Sequence, residues 1–372
     1  MLRIGLITTQ DWNIGDDFIR EGISLVLRQV FRGRELEFVS VNKHRPMTVY
    51  PDWHPCRWTE LLPRGRRYAY ALAGRLFSRL GLSRFDDCGL IVQCGAPVFW
   101  PGCHTAEWAE PLWRQVVGRL SRRLPVLNLA AGSCYAWERQ PSGIDDRLDR
   151  DYVERILGYC RLTTVRDALA QKLCASVGTQ VPLVRCSAFL AARGRHSALE
   201  DSGPILINYM PGGGHFDWEQ HVDAGAWNRT LQDVIKRLQR RHRLTFLCHN
   251  RKEYEAVLDL DVNVPRIWPK TSQEYFQAAT TAKAALCNRM HAAVGLAGLG
   301  IPAIAIGSDT RLLMVAALGL PYYYVKEANA DHIEEQLENL ISSRNKEKER
   351  LLDMQSETFE TYVAAVSQAI NR

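Results

Sequence analysis

The four residues Asn288-Arg289-Met290-His291 end the apolar run Ala284–Cys287 and open the small-residue stretch His291–Leu299. That pattern predicts a strand running into a helix. A guanidinium, backbone N–H groups and the positive end of a helix dipole then meet at one point, which favours an anion. An imidazole with an ordinary pKa of about 6.5 can also exchange a proton at neutral pH. Two further strand ends repeat the idea. Ile301–Ile306 leads into Gly307-Ser308-Asp309-Thr310-Arg311, where Ser308 and Asp309 suit helix capping and Arg311 suits a ligand. Thr164-Val165-Arg166-Asp167 puts another arginine after a strand, with a capping Asp and a surface Arg as the equal alternative.

Other loops after strands carry polar residues with less pattern behind them. Asn13-Ile14-Gly15-Asp16-Asp17 reads as a turn and a helix N-cap, and lacks the second and third glycines of a dinucleotide fingerprint. Gly212-Gly213-Gly214-His215 leaves backbone N–H groups open to an anion but has no P-loop lysine, so a flexible turn is the equal reading. Leu247-Cys248-His249-Asn250 ends a strand with polar side chains, either facing a ligand or structural. Asn13, Gly15, Gly213, His215, His249 and Asn250 are therefore candidates for the second substrate or for loop structure. Ten cysteines include no C-x-x-C pair, so neither a zinc site nor a disulfide framework is expected, and no metal is.

These residues need strands to carry them. Short apolar runs at Ile4–Thr8, Leu36–Val41, Cys88–Gln93, Pro125–Leu129, Arg161–Val165 and Val181–Arg185 alternate with amphipathic stretches. A second series follows at Pro204–Tyr209, Leu244–Cys248, Val264–Trp268, Ala284–Cys287, Ala303–Ile306 and Tyr322–Val325, after a small, polar segment at Ala191–Gly203. The alternation predicts an α/β fold with parallel sheets, in two doubly wound domains facing across a cleft. We set the domains at 1–195 and 203–330, with a charged helical segment over 331–372. Ligands of such sheets lie beyond the carboxyl ends of strands.

Composition narrows the classes. The chain has 372 residues, 46% apolar and 24% charged, which fits two packed domains rather than disorder. Its longest uncharged run, Ala292–Ser308, is broken by four glycines and Pro302, and the first strand meets Asp11 too early for a secretory signal. The expected location is the cytoplasm. The net charge of +6 comes from the first half: up to Gly203 there are 28 Lys and Arg against 21 Asp and Glu, and 19 against 20 thereafter. No nucleic-acid motif accompanies it. Seven arginines and one acid, Glu60, lie between Arg57 and Arg84, with Tyr68, Leu72, Leu76, Phe77 and Leu80 interleaved on a helical period. Either this helix covers the core, or the 57–84 stretch makes peripheral contact with the inner face of a membrane.

The stretch CNRMHAAVGLAGLGIPAIAIGSDTRLLMVAALGLP resembles the C-terminal signature of the polysaccharide pyruvyl transferase family, LTTVRDALAQKLC its Val-Arg-Asp helix start, and NIGDD its opening Asn-x-Gly-Asp. The motifs occur in the family's order over most of the chain. Departures from the pattern stand at Gln93–Ala96, at Cys186-Ser187, and at Arg311, where Lys is frequent. The resemblance implies two Rossmann-like domains of GT-B type, the first on the acceptor side and the second on the donor side. It also implies phosphoenolpyruvate as donor substrate with no cofactor, a sugar or lipid-linked glycan as acceptor, and a pyruvate ketal as product. Arg166, Arg289 and Arg311 would bind the donor, His291 would be the acid and Asp17 the second catalytic group, with Asp16 and His249 as rivals for the base. The alternatives are a GT-B glycosyltransferase using a nucleotide sugar, and a non-catalytic binding protein derived from the family.

Overall fold

A computed structural model describes residues 1–10, 13–61, 66–77 and 83–371. Asp11 of the first loop and Leu80 of the basic stretch lie outside the described residues. The first half contains β1 (Leu2–Thr8), α1 (Ile14–Val30), β2 (Leu36–Asn42), α2 (Pro55–Trp58), α3 (Arg66–Phe77) and β3 (Leu90–Phe99). It continues with α4 (Gly118–Leu120), β4 (Val126–Ser133), α5 (Arg147–Tyr159), β5 (Leu162–Val165) and α6 (Ala168–Ser176). Its strands pair in parallel in the order β2-β1-β3-β4-β5. Burial on both faces explains why these strands read as nearly continuous apolar runs. Val181–Arg185, expected as a strand, makes only one bridge, Val165 to Leu183. Pro182 has no N–H to give to a ladder, and Leu183 is exposed at the sheet edge.

The second half contains β6 (Ile205–Asn208), α7 (Ala224–Leu238), β7 (Leu244–Leu247), α8 (Arg251–Ala256), β8 (Arg266–Ile267) and α9 (Ser272–Ala279). Then come β9 (Ala284–Cys287), α10 (Met290–Gly298), β10 (Ala303–Gly307), α11 (Leu312–Ala316), β11 (Tyr322–Tyr324), α12 (Ala330–Ser342) and α13 (Arg344–Ile370). The sheet order is β11-β10-β9-β6-β7-β8, again parallel. Each sheet reverses its strand order once, between β1 and β3 in the first and between β6 and β9 in the second. A doubly wound sheet binds its ligand at that switch point.

The two Rossmann-like domains are closely joined behind the switch points. One apolar core runs from Phe18, Ile19 and Ile23 of α1 through Phe189 and Leu190 to Ala292, Ala293 and Leu296 of α10. The segment read as a linker is part of this packing, since Ala192, Ser197 and Leu199 are buried. Helix α12 lies beside α7 on the second domain, whereas α13 returns over α1 and α10. Gln355 of α13 donates to the carbonyls of Phe189 (2.7 Å) and Gly298 (2.8 Å), and Tyr362 to that of Arg185 (2.9 Å). In front, the chain after β4 reaches across. Thr310 Oγ1 meets Ser133 Oγ at 3.0 Å and accepts from Tyr135 N at 3.0 Å, while Glu138 accepts from Tyr324 and Lys326, each at 2.9 Å.

Candidate active site

Two helix N-termini from different domains converge on one space. Asn13 caps α1, its Oδ1 accepting from Gly15 N at 2.9 Å, and Arg289 stands at the N-cap of α10. They come so close that a Cβ on Gly15 would lie 2.8 Å from His291 Cβ, which leaves glycine as the residue that fits. Two asparagines at strand ends hold the second-domain side. Asn208 Oδ1 accepts from Arg289 N at 2.8 Å, and Asn288 Oδ1 accepts from Met210 N at 3.0 Å while its amide donates to Ile306 O at 3.1 Å.

Arg289, His291 and Arg311 line one small cavity with His215, Asn288 and Ser308. Two of its cations arrive with partners. Arg289 pairs through Nε with Glu253, a buried carboxylate of α8 that also accepts from Asn208 Nδ2 (2.9 Å) and His249 N (2.8 Å). Arg311 makes a two-toothed contact with Asp309, at 2.8 and 2.6 Å. Asp309 therefore orients the arginine, and it also accepts from the backbone N–H of Arg311 at 3.0 Å at the start of α11, where capping was expected of it.

Arg166 lies below, 1% exposed, with Nη1 3.1 Å from His291 Nε2. A guanidinium can only donate, so Nε2 accepts and the neutral ring carries its hydrogen on Nδ1. Burial, then Arg166, Arg311, His249 and Arg289, hold the His291 pKa well below the usual histidine value. Arg166 fits because Gly132 has no side chain, since a Cβ there would lie 2.4 Å from the arginine Nε. Its neighbour Asp167 caps α6 through Ala170 N and ties down Ser133 through N and Oγ, all at 2.8 Å.

A larger cavity of about 250 Å³ adjoins, sharing His215, Arg289 and Arg311 and lined also by Asn13, Asp16, Lys43, Trp100, Trp108, Phe216 and Trp218. The acid that faces it is Asp16. Asp17, the expected second catalytic group, pairs with Arg20 at 2.6 Å and lines a separate hollow with His249 and Asn250. Successive helical residues point about 100° apart, so only one of two adjacent aspartates can face the cleft. Burial raises the Asp16 pKa, opposed by Lys43, Arg289 and His44.

His249 is 2% exposed, packed edge-on against Phe18 and Tyr275 at 5.7 and 4.9 Å, and burial drives its pKa well below normal. Asn250 caps α8 by accepting from Glu253 N at 3.0 Å. Gly213 is buried in a left-handed turn (φ +71°) against Val325. Sequence reasoning passed over Lys43, Glu253 and the aromatic walls. Asn208, as a polar residue closing a buried strand, gave the one local signal.

The chain matches the family described as polysaccharide pyruvyl transferase over residues 13–310. No curated protein matches it by sequence. Among solved structures it is similar to the UDP-GlcNAc 2-epimerase from Neisseria meningitidis bound to UDP-GlcNAc, with 12% identity and a TM-score of 0.55 over 97% of this chain and 99% of that one. It is also similar to the UDP-GlcNAc 2-epimerase of Methanocaldococcus jannaschii, with 13% identity and a TM-score of 0.54 over 96% and 100%. A third likeness is to a glycosyltransferase from Streptomyces nogalater, with 13% identity and a TM-score of 0.50 over 99% of each chain. At these identities the likeness speaks for the fold, that of GT-B glycosyltransferases and epimerases. With its motifs matched from the first loop to Thr310, the chain belongs to the polysaccharide pyruvyl transferase family.

Proposed function

We propose that this protein transfers pyruvate from phosphoenolpyruvate to two hydroxyls of a sugar in a polysaccharide or glycan precursor, forming a ketal and releasing phosphate. The observation that carries this reading is one cavity holding Arg289, Arg311 and a neutral His291 backed by buried Arg166. Phosphoenolpyruvate brings a phosphate and a carboxylate, and fixed guanidinium groups and helix N-termini suit both. Its negative charge offsets the arginines that keep His291 neutral. Its oxygens also compete for Arg166, freeing Nε2 to take a proton.

The chemistry balances once both hydroxyl protons are accounted for. One sugar hydroxyl adds to the central carbon of the donor as the methylene gains a proton from His291, giving a methyl group. Loss of phosphate leaves an oxocarbenium-like carbon, and the second hydroxyl closes the ketal. The first hydroxyl proton passes to Asp16 and on through solvent to replace the one that His291 gives to the methyl carbon, and the second ends on phosphate. Asp16, which lines the larger cavity among cations, is the base we assign to the first hydroxyl. Arg289 and Arg311 stabilise the leaving phosphate. Mass spectrometry after incubation with phosphoenolpyruvate and a panel of sugars tests the proposal. A pyruvyl adduct with equimolar phosphate is expected, whereas a glycosyl adduct formed only from a nucleotide sugar would overturn it.

A further inference from the structure

The larger cavity is walled by aromatic rings from both domains. Trp100 and Trp108 face it from the first, their centroids 5.6 Å apart, and Phe216 and Trp218 from the second, 5.4 Å apart. Flat apolar walls with a few polar groups between them suit a ring that has a C–H face and a hydroxylated edge, which describes a pyranose. The loop carrying Phe216 and Trp218 is held to the first domain, since Gln220 accepts from Glu138 N at 3.0 Å and Arg139 donates to Trp218 O. Both walls are thus fixed relative to each other.

Lys43 enters from the end of β2 and is 6% exposed, with Nζ 4.6 Å from the Trp108 ring centre. Arg289 and Arg311 each have a carboxylate in contact, but among the described residues no ion pair is made by Lys43. Asp16 and Glu107 act on it from a distance without ion-pair contact, Asp16 accepting from Asn13 Nδ2 at 2.6 Å and Glu107 meeting His44 Nδ1 at 2.9 Å. Burial costs this ammonium more than the distant carboxylates return, so a ligand that brings an anion into contact with it is favoured there. We propose that this chamber is the acceptor subsite, taking a pyranose against the indoles with Lys43 paired to a negatively charged substituent, phosphate or carboxylate, of that sugar. The word acceptor rests on the transferase reading; the ligand class rests on the walls and Lys43.

Binding to the full chain tests this without turnover. Calorimetry would compare galactose 1-phosphate, methyl galacturonide, neutral methyl galactoside, inorganic phosphate and phosphoenolpyruvate. One of the two anionic sugars should bind at least tenfold more tightly than the neutral one, and which does so names the anion. Lys43→Met should remove that advantage, a loss of roughly ten- to a hundredfold, while leaving methyl galactoside and phosphoenolpyruvate within twofold. Lys43→Arg should retain much of it. Trp108→Ala, with Trp108→Phe as the milder variant, should weaken every pyranoside.

The inference fails if no pyranoside binds, if Lys43→Met weakens neutral and anionic sugars alike, or if it weakens phosphoenolpyruvate as much as Arg289→Ala does. Inorganic phosphate binding as well as the glycosyl phosphate would also overturn it. Absence of phosphoenolpyruvate turnover would instead count against the transferase reading and leave these binding results standing.

Discussion

Replacing Arg289 with Ala separates donor binding from structural support, because the arginine does both. Its partner Glu253 is 3% exposed, so truncation leaves a buried carboxylate without its cation. Breaking such a pair from one side costs about 3–5 kcal/mol. Asn208 Nδ2 and His249 N still donate to Glu253, at 2.9 and 2.8 Å, which argues for the lower figure of about 3 kcal/mol. With an unfolding entropy of about 2.1 cal/mol/K for each of 372 residues, or roughly 0.8 kcal/mol/K, the melting temperature should fall by about 4 °C. Adding Glu253→Gln removes the orphaned charge and keeps an acceptor oxygen, so Arg289→Ala/Glu253→Gln should recover most of the loss. Donor affinity should not recover. Both variants lack one charge-assisted contact of about 1.5–3 kcal/mol, or a tenfold to over hundredfold weaker dissociation constant for phosphoenolpyruvate. Thermal melts and calorimetric titration of the three proteins decide it. Donor binding restored in the double variant would show that Arg289 serves only Glu253, and an unchanged melting temperature in the single one would refute the buried-charge argument.

Other expectations follow from the same geometry. His291→Ala and His291→Gln should each lower turnover by roughly 10²–10⁴-fold with a smaller change in donor affinity, and wild-type rates in both would make the histidine structural. Because the folded-state pKa of His291 is depressed, the unfolded chain binds the extra proton more readily. Its contribution to stability is present above about pH 6.5 and is lost as pH falls below that value, so His291→Gln should flatten part of the acid limb of a melting-temperature profile. Gly22→Ala would put a Cβ 1.9 Å from Ser187 O at the junction of α1 with the shared core, and should destabilise by about 3 kcal/mol or more in urea unfolding. No described helix is long and apolar enough to cross a membrane, yet Tyr68, Leu72 and Leu76 are exposed on one face of α3. Co-sedimentation with vesicles should therefore rise with anionic lipid content, and equal binding to neutral vesicles would remove peripheral contact through 57–84.

The legible part of the site was the part written as a strand followed by a helix. Ala284–Cys287 is apolar and buried throughout, and Asn288, although buried as well, breaks the apolar run, so the strand end was visible and Arg289 and His291 with it. The two Rossmann-like domains were visible for the same reason, since a parallel sheet covered on both faces needs continuous apolar runs separated by amphipathic ones. Val181–Arg185 misled because an apolar run also describes an extended segment packed at a sheet edge without a ladder.

What the residues alone determined was thus local: which segments become buried strands, where those strands stop, and which cations and imidazole stand at the stops. Tertiary structure decided the rest, because it depends on distances between segments far apart in the chain. The helical phase of α1, set by packing Phe18 against Gly295, turned Asp16 rather than Asp17 to the cleft. Glu253 reached Arg289 across 36 positions and Arg166 reached His291 across 125, and those contacts settled which cations are neutralised and how the imidazole is protonated. Lys43, the segment with Trp100 and Trp108, and the loop with Phe216 and Trp218 are three separate stretches of chain, none of which signals an aromatic chamber by itself. Only the docking of two sheets at their switch points brings them around one chamber, since charge and stacking act over a few ångströms of space, not along the sequence.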